Sequence, residues 1–268
     1  MKPLTVYWWR PVAEGKINLG DEVNRHIVSY VSGREVERSE LRSCELAAIG
    51  SVLQDLFGRI KGRRSPVHVW GSGLMQPEYL PESEYVHYHA VRGPLTRCIA
   101  EVRRDLPLGD PGILVSEIWK PAREKQYSIG IIPHHTQLGD KLWTGLCEST
   151  PGATLIDLTS PDIDQTFELI SSCERIASTS LHGIVFADSY KIPNLWLRSN
   201  EPHRASAFKF YDYFASLKRK VAKQIEVRNP AKNMLTIEES QYDVAYFDEV
   251  DACKARVYEA FPAELKAA

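Results

Sequence analysis

Short apolar runs alternate along this chain with polar, glycine-bearing turns and with segments of helical spacing. In the first half, residues 4–9, 46–49, 67–70 and 86–91 read as strands. The last three end in Gly50-Ser51, Gly71-Ser72-Gly73 and Arg92-Gly93-Pro94. A loop over 15–21 feeds a helix predicted over 22–31, where Val23, Ile27, Tyr30 and Val31 recur at helical spacing. A second helix is predicted over 95–104, with Pro94 suited to its first turn. A second series follows, with strands over 127–132, 153–158, 175–178 and 195–197 and helices over 163–173 and 182–190. From about residue 208 the pattern is helical and increasingly polar, closing with a surface helix over 250–267 that packs back on the body. Strand, turn and helix in repetition predict α/β architecture with parallel sheets. The turn Gly109-Asp110-Pro111-Gly112 and the charged stretch 119–126 place a boundary near 120. The expected organisation is two doubly wound, Rossmann-like domains, 1–120 and 121–230, facing a cleft, with a helical tail over 231–268.

Composition narrows the class. The chain has 268 residues, 43% hydrophobic and 25% charged, as in a soluble folded protein rather than a disordered one. A formal net charge of -2 argues against a general nucleic-acid binder, so any phosphate site must be a local cluster. The apolar part of the N-terminus is too short for a signal peptide. No run approaches the roughly 18 apolar residues of a spanning helix. Five scattered cysteines, odd in number and without a Cys-x-x-Cys pair, read as reduced thiols of a cytoplasmic protein.

The turns after the strands carry the candidate chemistry. Ser180-Leu181-His182-Gly183 sets a histidine at a helix N-terminus beyond a strand's carboxyl end, where open α/β sheets bind ligands and where an anion is favoured. Ser and Thr before it offer N-cap hydroxyls. Imidazole adds little stability there, which favours a functional His182. Gly71-Ser72-Gly73 offers backbone N–H groups of the anion-nest kind or marks a tight turn; the third glycine of the dinucleotide fingerprint is missing. Arg92 and Arg97 lie near a helix start, either for an anion or for carboxylates such as Glu101 and Asp105. Asp21 reads as an N-cap or as an acceptor-binding group, and Asp110 before Pro111 as a turn former or a site residue. His134 and His135 point in opposite directions if their strand continues, so one of them at most faces the cleft. His87 and His89 share one strand face, a pattern that suggests a metal but lacks a third ligand in the sequence, so both read as core or surface histidines.

In order, Asn18-Leu19-Gly20-Asp21-Glu22-Val23-Asn24, Gly71-Ser72-Gly73, Val91-Arg92-Gly93-Pro94-Leu95-Thr96-Arg97, Leu108-Gly109-Asp110-Pro111-Gly112, Pro133-His134-His135, Ser180-Leu181-His182-Gly183 and Phe208-Lys209-Phe210-Tyr211-Asp212-Tyr213 form a set. The set resembles the polysaccharide pyruvyl transferases, in the branch of the succinoglycan pyruvylating enzyme, over roughly residues 4–215. The resemblance implies a GT-B-like fold and transfer of pyruvate from phosphoenolpyruvate to two hydroxyls of one sugar, giving a cyclic ketal and phosphate. It implies no cofactor beyond that donor, no metal, and a saccharide acceptor. If the acceptor is lipid-linked, the protein works at the inner face of the membrane, with Phe208, Phe210, Tyr211, Tyr213 and Phe214 as contact or core. Many members carry Arg-Leu-His where this chain has Ser180-Leu181-His182, which leaves Arg92, Arg204 and Lys209 as replacement cations. The implied roles are His182 as acid or donor ligand, Arg92 on the donor's phosphate or carboxylate, and Asp21 beside the acceptor. Asn18, Gly20, Gly71, Ser72, Gly73, Arg97, Asp110, His134, Ser180 and Gly183 complete the expected binding set. The competing readings are a nucleotide-sugar glycosyltransferase of the same architecture and a non-catalytic saccharide-binding relative.

Overall fold

The computed structural model describes residues 2–11, 15–63, 65–80, 82–103, 105–199, 207–220, 225–227 and 242–267. In the first half the apolar runs become β1 (Leu4–Tyr7), β3 (Leu46–Ala47), β4 (Val67–Trp70) and β5 (Val86–Ala90), joined by β2 (Val36–Arg38). All pairings are parallel and the order is β2-β1-β3-β4-β5. Sequence patterning misses β2 because Val36-Glu37-Arg38 is a short, charged edge strand with no apolar run, the usual guard against edge pairing. Helices α1 (Leu19–Glu22), α2 (Asn24–Ser32), α3 (Leu53–Gly58) and α4 (Pro94–Ile99) connect them. A 3-10 turn (Pro111–Leu114) and α5 (Val115–Ile118) then lead into the second half.

The second half repeats the plan. β6 (Ile129–Ile132), α6 (Lys141–Ser149), β7 (Ala153–Leu155), α7 (Ile163–Ser171), β8 (Ile176–Ser178), α8 (Leu181–Ser189), β9 (Asn194–Ser199), α9 (Phe208–Ser216) and β10 (Ile225–Val227) follow one another. The sheet is again parallel, in the order β10-β9-β8-β6-β7. Counted from its own first strand this is the order of the first sheet, so both halves reverse direction between first and third strands. Those reversals, β1/β3 and β6/β8, are the topological switch points at which open α/β sheets hold ligands. Helix α6 and strand β10 lie outside the expected elements. Thr144 and Gly145 dilute the helical propensity of α6, which starts where Asp140 Oδ1 accepts from the Leu142 N–H at 2.8 Å.

One apolar cluster spans both halves, joining Trp8, Ile27 and Trp70 of the first to Ile184, Phe186 and Phe214 of the second. Two late helices tie the halves further. Asp212 of α9 accepts from the Leu95 and Thr96 N–H groups at 2.9 Å each, and so caps α4 of the first half from outside it. Helix α10 (Phe247–Glu259) buries Val250, Cys253 and Val257, and the Trp70 indole donates to the Val257 carbonyl at 2.9 Å. The predicted surface helix thus packs back on the body through one face, a strap whose other face, with Asp251, Ala255 and Tyr258, is exposed. Of the α9 aromatics, Phe210, Tyr213 and Phe214 are core and Tyr211 is exposed. Among the described residues no helix is long and apolar enough to cross a membrane.

Candidate functional site

The loops beyond β1, β3, β6 and β8 converge on a single cavity of about 340 Å³. Trp9, Asn18 and Asp21 come from beyond β1, and Ser51, Val52 and Asp55 from beyond β3. His134 and His135 follow β6, and Ser180, Leu181 and His182 follow β8. Met75, Leu158 and Lys209 complete the wall. Both switch points thus open onto the same space. The seam is closed by backbone: Leu19 N–H donates to the Leu158 carbonyl at 2.9 Å and Ile17 N–H to that of Thr159 at 3.3 Å.

Gly20 is what lets His182 sit at this seam. A Cβ at residue 20 would stand 1.8 Å from His182 Nδ1, so the imidazole rests directly on the backbone of α1. Its Nε2 is buried and has no hydrogen-bond partner among the described residues. Burial, with the charges of Lys209 and Arg92, depresses the imidazole to about 3. The free protein therefore carries a neutral His182 near pH 7. Ser180 occupies the N-cap position of α8, yet its side chain caps nothing. Ser178 Oγ instead holds the turn before the helix, accepting from the Ser180 N–H at 2.9 Å. Ser180 itself lines the cavity.

Asp21 and Lys209 give the cavity its polarity. Asn18 Nδ2 donates to Asp21 Oδ2 at 2.5 Å. Burial raises the Asp21 carboxyl to about 8, with Lys209 opposing and Asp110 and Glu22 reinforcing the rise. Burial and Arg92 lower Lys209 to about 8, and Asp21 partly offsets this. Among the described residues no carboxylate lies within ion-pair distance of the Lys209 ammonium, which is 7% exposed. It stands 5.7 Å from the centroid of the Phe210 ring. At neutral pH the walls thus hold an uncompensated ammonium, a protonated Asp21 and a neutral imidazole.

Several expected site residues lie away from these walls. Arg92 is fully buried and spends its guanidinium on Asp212 Oδ2 (3.2 Å), Ser51 Oγ (2.6 Å) and the Leu74 carbonyl (2.5 Å). It reaches the cavity only through Ser51 and through its charge. Gly71 supplies a left-handed turn at φ +82° against Pro111, Ser72 Oγ donates to the Gly50 carbonyl at 2.9 Å, and Gly73 makes room for the Arg92 guanidinium. None of the three lines the cavity. Asp110 Oδ1 accepts from the Gly112 N–H at 2.9 Å and caps the 3-10 turn, while burial raises its carboxyl to about 6. Arg97 sits in the last turn of α4, and Gly183 packs α8 onto Ser178. Arg204 lies outside the described residues.

Other wall residues carried weaker signals. His134 and His135 both line the cavity, because β6 ends at Ile132 and Pro133 interrupts the alternation that would have sent them to opposite sides. Trp9 leans on His135 across the seam, with ring centroids 5.5 Å apart. Ser51 and Asp55 follow a strand-end Gly50-Ser51 turn of the same kind as the others, which is the signal that marks them.

Comparison with known proteins identifies the family. The family model for polysaccharide pyruvyl transferase matches residues 56–201. An uncharacterized protein of Acanthamoeba polyphaga mimivirus, L143, is 28% identical over 207 residues, covering 74% of this chain and 70% of the viral protein. The succinoglycan biosynthesis protein ExoV of Rhizobium meliloti is 27% identical over 221 residues, covering 81% of this chain and 65% of ExoV. With a family match over more than half its length, the chain is a transferase and belongs to the polysaccharide pyruvyl transferase family.

Proposed function

We propose that the protein moves pyruvate from phosphoenolpyruvate onto two hydroxyls of one sugar unit of a polysaccharide or its precursor, with the paired sheets acting as a GT-B-like clamp. The observation that carries this reading is the unpaired, buried Lys209 ammonium in a cavity shared with His182 and with the N-terminal turn of α8. Such a place is stabilised by a small dianion. Lys209 takes the position that Arg92 was expected to fill, and it answers the missing arginine at Ser180.

The chemistry balances with the groups at hand. A proton added to the donor's methylene carbon leaves cationic character at C2, which the first hydroxyl attacks. Phosphate departs, and the second hydroxyl closes the ketal. Of the two hydroxyl protons released, one ends on the new methyl group and one on phosphate. His182 becomes cationic as the dianion enters, because the added negative charge outweighs Lys209 and Arg92, and it then serves as the acid. Asp21, once ionised, accepts a hydroxyl proton. Acid–base help of this kind contributes about 10²–10⁴-fold. Trp9, 38% exposed at the cavity wall, offers the sugar an apolar face. The donor is a soluble anion and the acceptor a saccharide, which suits the cytoplasm or the inner face of the membrane.

The test is mass spectrometry of hexoside acceptors incubated with phosphoenolpyruvate, together with an assay for free phosphate. The reading expects the acceptor to gain one pyruvate less one water for each phosphate released, with no product from His182→Gln. Hexose transfer from a nucleotide-sugar, or phosphate release without an acceptor product, would overturn it.

A further inference from the structure

Strands β4 and β5 carry three histidines on one face: His68 is in register with His87, and His89 lies two residues further on. This cluster sits on the first sheet, and none of its residues lines the catalytic cavity. The sequence alone supplies no third ligand to the pair on β5. The fold supplies two. His68 Nδ1 and His89 Nε2 stand 2.9 Å apart, and the C-terminal 3-10 turn (Ala263–Leu265) sets Glu264 Oε1 3.4 Å from the first and 4.0 Å from the second.

We propose that His68, His89 and Glu264 form a binding site for a divalent transition metal of borderline softness, with Zn²⁺ as the type ion. Three features argue for it. Donors at about 2.0–2.1 Å from a tetrahedral zinc lie about 3.3 Å from one another, and the three atoms here bracket that spacing. Two imidazoles and a carboxylate match zinc, cobalt and nickel rather than the hard oxygen-seeking ions. The two imidazole nitrogens face each other across a single shared proton, which a metal replaces. Three protein donors leave a fourth position for water.

The site has a structural consequence. Phe261 packs edge-on against Trp70 at 4.9 Å, and Glu264 follows it across the same sheet face. A metal here would bind the end of the α10 strap to β4 and β5, joining residues far apart in sequence. The full-length protein, free of any affinity tag and stripped with chelator, is titrated with ZnCl₂ in a calorimeter and with CoCl₂ in a visible spectrometer. The expected result is one equivalent bound, with the intense visible bands of four-coordinate cobalt. Melting temperature should rise by about 5 °C at a hundredfold excess over Kd. His89→Ala should weaken binding by at least about 100-fold. Glu264→Gln, at an exposed side chain that cannot compromise folding, should also weaken binding and remove the thermal shift. Absence of stoichiometric binding, or binding unchanged in both variants, would overturn the proposal.

Discussion

Replacing Gly20 by alanine perturbs the position of His182 and little else. Residue 20 lies inside α1 with φ outside the left-handed range, so its backbone accepts a side chain. In a helix alanine is favoured over glycine by about 0.8–1.0 kcal/mol. The added methyl would stand 1.8 Å from His182 Nδ1. Ordinary contact needs about 3.5 Å, so the ring must move by more than about 1.5 Å. The open side is the cavity, so the ring swings into it. An error of about 1 Å in a reacting group costs on the order of 10²-fold in rate, or about 2.7 kcal/mol of barrier. Rotamer strain of about 0.5–1.5 kcal/mol offsets the helical gain, which keeps stability near that of the parent. The assay is kcat from phosphate release with saturating donor and acceptor, beside a calorimetric melting curve. The expected outcome is a rate loss of about 100-fold with melting temperature within about 4 °C of the parent. A Gly20→Ala protein with native kcat would show that the seat of the imidazole does not govern the reaction.

Other predictions follow the same wall. Lys209→Met should weaken phosphoenolpyruvate binding by about 10–100-fold, the worth of one charge-assisted contact, and Lys209→Arg should restore part of it; titration calorimetry reads both. The profile of kcat/KM should be bell-shaped with its maximum near pH 8. Asp21 must lose its proton above about 8 to act as a base, while Lys209 must keep its own below about 8 to hold the donor. A flat profile between pH 6 and 10 would refute those assignments. Asp21 also shapes stability: an unfolded aspartate ionises near pH 4, while the folded one holds its proton to about 8. The folded state therefore binds the extra proton, and stability declines as pH rises through that window. The melting-temperature advantage of Asp21→Asn should accordingly grow from pH 5 to pH 8. Asp212→Ala should cost about 3–5 kcal/mol in denaturant unfolding, since it strands the buried Arg92 charge and two N–H groups at the start of α4.

What could be read from sequence was local. The runs at 67–70 and 86–91 form strands because apolar residues alternate there and glycine turns follow. His182 could be placed at a helix start from five consecutive residues. The pairing of the halves could not be read, because strand order is a long-range property: nothing in Leu4–Tyr7 or Ile129–Ile132 says that each lies at its sheet's switch point. The partner of Arg92 could not be read for the same reason. Asp212 is 120 residues away and reaches it only once α9 folds back onto α4. Lys209 entered the expectations only as one of three replacement cations; its burial without a counter-charge is a property of the packed cavity. The histidines on β4 and β5 lacked a carboxylate until α10 carried Glu264 across the sheet.

The central physical claim is that a dianion converts a neutral His182 into the acid. Nitrogen-15 NMR of the imidazole, in protein labelled at histidine and assigned by His182→Gln, tests it directly at pH 7. The account predicts neutral-imidazole shifts in the free protein and movement to imidazolium shifts when phosphoenolpyruvate saturates the site. An imidazole already charged in the free protein, or one still neutral in the saturated complex, would contradict it.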